Sequence, residues 1–438
     1  MQNLSVGVSA IKKVCILLMS LASVLGAVAQ KVPEDQASIS GRVVDVSSNP
    51  YSAQVRIFQI VIREGFASLY PMCVTNTDQQ GGFECPKLSA GKFIVQVLSL
   101  RRWGKQTQKA QDAAAGTIPK SIFYPGVTDL EQAIPISLRS NEAGWAEVRV
   151  ADSPGVEVTG TLTDHGPGAF LILKAESEDL TLNIGINPQY DSNTGRFVIS
   201  NVPAGHYQLT ANWFVSQGER HTTLPFVVDA TPVDNLNFSA TPNVEISGQL
   251  PTLPLGVTTS QLLLTSTDNS TRDRKTSVKD GAFDFGSVPP GEYILSFPLG
   301  QQVYVNAVSV EGKSVGGSRF SVAPGQGSVN LELEVKGPSI PIRGSVKEWE
   351  GSAVSAEVIA QAEDSGEIYK VTTDKQRKFS FAGVKPGEYH LFAWPGVNTI
   401  EYRNPLVLRK YNNDSTEVWV DQDGIGSAIE LSPIEKER

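Results

Sequence analysis

One signature, repeated four times, restricts the fold of this chain more than any other feature of its 438 residues. A short segment ends in apolar-x-Gly: Ile39-Ser40-Gly41, Val158-Thr159-Gly160, Ile246-Ser247-Gly248 and Ile342-Arg343-Gly344. Some 35 to 42 residues later comes a Phe, and ten residues beyond it a second aromatic residue. The pairs are Phe83 and Phe93, Phe197 and Tyr207, Phe283 and Tyr293, Phe379 and Tyr389. A glycine precedes the second aromatic by two positions every time: Gly91, Gly205, Gly291 and Gly387. Fixed spacing in four copies marks tandem repeats of one supersecondary unit, so the chain is read unit by unit.

Each Phe follows turn chemistry: Asp78-Gln79-Gln80-Gly81-Gly82, Asp191-Ser192-Asn193-Thr194-Gly195, Asp280-Gly281 and Asp374-Lys375-Gln376-Arg377. Asp accepts hydrogen bonds from the backbone two residues on, and Gly tolerates positive φ, so the chain reverses here. The pattern predicts a β-hairpin at each site, with a looser loop in the fourth copy, which lacks the glycine. From each Phe the residues alternate, as in Phe283-Asp284-Phe285 and Phe379-Ser380-Phe381, and period two places alternate side chains on one buried face. A second turn, Pro-Ala-Gly, Pro-Pro-Gly or Pro-Gly, leads into another alternating strand. Closing strands follow at Val148-Arg149-Val150, Leu236-Asn237-Phe238, Val329 to Val335 and Ile429-Glu430-Leu431. With 39 glycines, 26 prolines and no convincing amphipathic helix, the chain reads as all-β: four tandem antiparallel Ig-like or transthyretin-like β-sandwich modules. A chain of this length also suits about four domains of ~100–150 residues. The expected modules are 37–151, 155–241, 243–336 and 339–434. Short proline-bearing joints at Ser153-Pro154-Gly155, Thr241-Pro242-Asn243 and Gly337-Pro338 predict a semi-rigid string. An insertion in the first module, Lys105 to Lys120, reads as a short helix or a mobile loop.

The Asp-x-x-Gly-x-Phe turn and the Pro-x-Gly-x-Tyr turn, after an Ile-x-Gly strand, resemble the carboxypeptidase regulatory-like domain. The resemblance runs module by module over nearly all of the chain after the leader. It implies a transthyretin-like sandwich of a carbohydrate-binding-like group, found in tandem in secreted bacterial proteins. It implies a fold and no peptidase activity.

Residues 1–29 read as a secretory signal peptide: Lys12 and Lys13, an apolar run from Val14 to Leu25, and Ala27-Val28-Ala29 before Gln30. Export to the periplasm or cell surface is therefore expected. Nothing later is apolar enough to span a membrane as a helix, and the C-terminal Ile434 to Arg438 carries no hydrophobic tail. The formal net charge is −9, and loss of Lys12 and Lys13 makes the remainder more acidic. That balance excludes the basic patch of a nucleic-acid binder.

Catalytic and metal motifs are missing from the sequence, and no cofactor is implied. None of His165, His206, His221 and His390 has a Glu three residues on, and neither His-x-x-x-His nor Cys-x-x-Cys occurs. Strand parity points His206 and His390 outward, as solvated side chains. Gly312-Lys313-Ser314-Val315-Gly316 matches a nucleophile elbow, but it lies between two strand-like segments and reads as a hairpin turn. The acidic run Glu176-Ser177-Glu178-Asp179 reads as a solvated loop rather than a calcium site.

Two features carry site expectations. Trp213 and Trp394 lie at the ends of the strands that begin at Tyr207 and Tyr389. Their rings either stack on sugars or cap the open ends of small cores. Cys73 and Cys85 remain as a pair once the leader and its Cys15 are removed, which favours a disulfide in an oxidising compartment. A hairpin folding about Gln79 would place them directly opposite each other, with Cα atoms ~4.5 Å apart; two buried free thiols are the rival. The function expected is a non-catalytic scaffold, adhesion or binding protein of the bacterial envelope, its partner a glycan or an envelope protein. The alternatives are a carbohydrate-binding protein using exposed aromatics, and a hydrolase with a site between modules.

Overall fold

The computed structural model describes residues 36–99 and 121–435, apart from 152, 178–179, 216–217, 241–242, 252, 254–260, 268–272, 302, 338–340, 350–354, 397 and 422–428. The expected signal peptide, the Lys105–Lys120 insertion, Trp103 and the end of the 176–179 acidic run lie outside the described residues.

Among the described residues the alternating segments form eight sheets that face each other as four sandwiches. In the first, the opening strand Ala37–Asp45 lies between the Phe-bearing strand Gly82–Leu88 and the closing strand Ala143–Val150. The same order recurs around Val156–Thr163, Val244–Gln249 and Ile342–Val346. Each facing sheet also has one plan, seen in the third unit as Arg274–Ser277, Gln261–Ser266, Gly291–Ser296 and Arg319–Val322. Among the described strands, pairing is antiparallel except between opening and closing strands, which run parallel in every unit.

The register explains the signature. Gly41, Gly160, Gly248 and Gly344 stand directly opposite Phe83, Phe197, Phe283 and Phe379. Each Phe ring lies over the bare glycine, so a Cβ there would come within 2.7, 2.6, 2.5 and 2.7 Å of the ring's Cζ. It would also collide with a closing-strand carbonyl, of Ala146, Leu236, Leu331 and Ile429 in turn. Only glycine lets three strands and an aromatic ring meet so closely.

The second aromatic closes a corner. Tyr207, Tyr293 and Tyr389 are buried and donate through Oη to the carbonyls of Pro203, Pro289 and Lys385, at 2.8, 2.6 and 2.7 Å. Phe93, the first unit's counterpart, has no hydroxyl to offer. Tyr293→Phe is expected to weaken the third unit by about 1–2 kcal/mol, because the Pro289 carbonyl loses its partner while the ring's packing is kept. Urea unfolding followed by circular dichroism would check this, and a loss below about 0.3 kcal/mol would show the corner bond to be dispensable.

Three expectations need correction. In the first, third and fourth units the turn before the Phe is an arch between sheets rather than a hairpin, as where Phe66–Asn76 pairs with Ala53–Arg63 and Gly82–Leu88 with the opening strand; in the second, Gln189–Tyr190 pairs with Arg196–Val202 as a short hairpin, as expected. At the tip of the third arch a single local bridge survives, Lys279↔Ala282. Alternation could not tell the two apart, because strands of both sheets bury every second residue in the same core. The fourth loop is also not looser. Arg377 takes the left-handed conformation (φ 59°) that Gly81 and Gly195 take (φ 76° and 70°). Asp374 Oδ1 then accepts from Gln376 N and Lys378 N at 2.9 and 2.8 Å, as Asp78 Oδ1 does from Gln80 N and Gly82 N. Finally, the units are not a simple string. Phe58, Ile94, Phe123 and Leu130 on the outer face of the first sandwich join the core of the second as one hydrophobic cluster.

Candidate functional site

The described residues place their least conventional chemistry where units meet. Between the first and second units, Leu130 is buried in the shared core and pins a single 3-10 turn, Leu130–Gln132. Asp129 caps that turn, its Oδ1 accepting from Glu131 N at 3.1 Å. Across the junction, His206 is the second residue of the strand Gly205–Val215, one residue before the buried Tyr207 and on the opposite face. Its backbone N donates to Asp129 Oδ1 (3.3 Å), and its Nδ1 lies 2.9 Å from Asp129 Oδ2 and 3.1 Å from Glu131 Oε2. Thr128 Oγ1 donates to Ala204 O, and the buried Gln96 donates through Nε2 to Asn183 O, tying the same junction on either side.

The Asp129 hydrogen bond holds the His206 imidazolium above its ordinary pKa of 6.5, against partial burial and helped by the charges of Asp129, Glu131 and Glu176. A raised value means that the attraction is complete below the ordinary value and fades as pH rises through the raised one. His206 therefore points away from its own core, as parity predicts, and its half-exposed side chain lies against two carboxylates of the neighbouring unit. His390, in contrast, is not the solvated histidine expected: its side chain is 16% exposed, with Nδ1 3.1 Å from Ser415 Oγ and Nε2 3.1 Å from Glu363 Oε2. Nothing in the sequence marks the Asp129–Glu131–His206 group, because the partners are 77 residues apart and meet only when two sandwiches dock.

The fourth unit reaches back to the first and third. Arg403 N donates to Gly65 O at 3.2 Å, and its guanidinium lies 5.1 Å from the centre of the Phe66 ring, both at the tip of a first-unit hairpin. The same guanidinium grips Asp273 of the third unit through two bonds, at 2.8 and 2.5 Å. The helix Pro405–Lys410 follows at once, capped by Asn404, whose Oδ1 accepts from Leu406 N at 2.9 Å. Between the third and fourth units lies an open groove of about 760 Å³, with the ion pairs Arg319–Glu292 (2.9 Å) and Lys385–Asp364 (2.6 Å) on its walls. Nearby, burial pushes the Glu367 carboxyl up to about 7, opposed by its hydrogen bond with Tyr369 and the charge of Lys385.

The aromatic rings expected at ligand sites are elsewhere. Trp213 and Trp394 are only 4% and 5% exposed and cannot offer a face to a sugar. Trp213 shares strand parity with Tyr207 and points into its own core. Trp394 points the other way but is covered, stacking on Phe392 at 5.5 Å and meeting Tyr411 edge-on. Among the described residues the exposed tryptophans are Trp145 and Trp419, at 57% and 67%, both on outer strands. Ser314 lies on a hairpin, Val310 pairing with Lys313, and lines no part of the groove; nor does any histidine. Cys73 and Cys85 are disulfide-bonded with Cα atoms 6.2 Å apart, and the bond joins one sheet to the other rather than opposed residues of a hairpin.

No family model matches the chain, and no curated protein matches it. Among solved structures it is similar to a streptococcal ancillary pilin, at 14% identity over 46% of this chain and 62% of that one, with a TM-score of 0.19. It is similar also to the Bacillus anthracis TIE protein, at 12% identity over 88% and 68% of the two chains, with a TM-score of 0.18. For BcpA, the major pilin subunit of Bacillus cereus, the identity is 12% over 91% and 99%, with a TM-score of 0.16.

Proposed function

We propose that the protein is a non-catalytic, exported scaffold whose four sandwiches are held in one arrangement to present binding surfaces in the cell envelope. The observation that carries this reading is Arg403, which joins the fourth unit to the first and third through a backbone bond, a ring face and a two-point ion pair. The shared core of the first two units works to the same end. The disulfide supports an oxidising destination, and the signature residues of each repeat are spent on the fold. Membership of the carboxypeptidase regulatory-like family belongs to this reading. Small-angle scattering of the protein without its leader tests it: Arg403→Ala is expected to enlarge the radius of gyration. An unchanged profile in the variant, or turnover of esters, peptides or glycosides that Ser314→Ala removes, would overturn it.

A second reading, binding of a carbohydrate, is favoured by Trp145 and Trp419. In the strand registers Trp145 stands opposite Ser40, which is itself opposite Glu84, and Trp419 stands opposite Glu388. An exposed indole beside carboxylates and hydroxyls suits stacking on a sugar with polar contacts at its rim. A glycan array comparing the protein with Trp145→Ala and Trp419→Ala separates this from a purely structural role.

A further inference from the structure

We propose that Asp129, Glu131 and His206 form a binding site for a divalent transition metal of the zinc class, which would clamp the first unit to the second. Their three ligand atoms lie within 4.8 Å of one another, supplied by two elements of different units. In a tetrahedral site with bonds of about 2.0–2.2 Å, neighbouring ligand atoms are about 3.3–3.6 Å apart. The present separations of 2.9 and 3.1 Å therefore need to open by only about half an ångström.

The carboxylate at the centre is built in. Asp129's side chain is 8% exposed, and its Oδ1 is fixed by the backbone N–H groups of Glu131 and His206. Its Oδ2 has no partner but His206 Nδ1 among the described residues. An outer shell of this kind orients a ligand and raises metal affinity. The local charge asks for a cation. Asp129, Glu131 and Glu176 face a single imidazole, and among the described residues no Lys or Arg forms an ion pair with any of the three. Glu176 instead accepts from Gln208 Nε2 at 3.2 Å.

The donor set selects the metal. One imidazole nitrogen and two carboxylate oxygens suit Zn²⁺, Co²⁺ or Ni²⁺, while Ca²⁺ wants six to eight oxygens. His206 and Glu131 are 44% and 52% exposed, which leaves an open side for entry and a fourth, water ligand. Binding replaces the proton that Nδ1 shares with the carboxylates: the metal takes the Nδ1 lone pair, and a protonated ring releases one H⁺ to solvent.

Titration calorimetry of the chelator-treated protein with ZnCl2, and with CaCl2 for comparison, tests the site. One equivalent of Zn²⁺ is expected to bind, with calcium failing to compete. Affinity is expected to fall 10-fold or more in His206→Ala and in Glu131→Gln, the second altering an exposed side chain that the fold does not need. His390→Ala, which breaks the other His–Glu pair, is expected to bind as the parent does. Zn²⁺ is also expected to raise the melting temperature of the parent and not of Glu131→Gln. Absence of saturable binding, binding that survives both His206→Ala and Glu131→Gln, or binding lost in His390→Ala would each show the cluster to be an ion pair only.

Discussion

Phe283→Ala is expected to destabilise the third unit by about 3–5 kcal/mol, the cost of removing a buried aromatic ring from a packed core. Gly248→Ala is expected to do comparable harm, about 3 kcal/mol, by the opposite route of overpacking. The ring is 3% exposed and lies on the glycine across the strand pair. An added methyl group would come within 2.5 Å of Phe283 Cζ and would also meet the Leu331 carbonyl of the parallel closing strand. Rotating the ring relieves only the first clash, since the carbonyl belongs to the sheet ladder. The double variant is therefore expected to lose less than the two single losses added together, because one clash disappears with the ring. The third unit holds no tryptophan, so hydrogen exchange across Ala282–Val288 is the direct measurement. Protection kept in Gly248→Ala would show that the glycine is not the contact it is taken to be.

Removing the disulfide should affect two units and spare two. Cys73→Ala with Cys85→Ala is expected to destabilise the first sandwich by about 3 kcal/mol, the chain-entropy value for a short closed loop. The bonded residues are 12 apart in sequence, and Cys85 is 1% exposed. They sit on strands of opposite sheets, so the bond ties the edge of the sandwich where no backbone ladder crosses. Since the first and second units share a hydrophobic cluster, their unfolding is expected to shift together in calorimetry, with the transitions of the third and fourth less affected. Mass spectrometry after alkylation without reduction is expected to find no labelled thiol at either position. A first transition indifferent to reductant would refute the stabilising role.

The repeat itself was legible in the chain because its demands are local. A glycine under a ring, an Asp that folds its own turn and a Tyr that reaches back four residues depend on neighbours set by strand geometry, and so they recur at fixed spacing. Periodicity likewise determined which residues are buried, and Phe197, Phe283, Phe379 and their tyrosine partners all lie in cores. The cysteine pairing followed from the two cysteines left beyond the expected leader and the oxidising compartment that a leader implies. Where the chain goes after each turn did not follow, because an arch and a hairpin bury the same alternate residues. That is why the cysteines pair between sheets although a hairpin was expected to align them.

Tertiary structure alone decided what happens on outer faces. Parity says that Trp394 and His206 point away from their own cores, and both do. It cannot say what lies there: a covering of Tyr411 in one case, two carboxylates of another sandwich in the other. The same holds for Arg403, whose partners are 130 residues away in the third unit and at a hairpin tip of the first. Alternation along a strand fixes two faces, inner and outer, and contains no term for how one finished sandwich rests on another. Docking between units depends on the shapes and charges of completed surfaces, and those exist only after each core has closed.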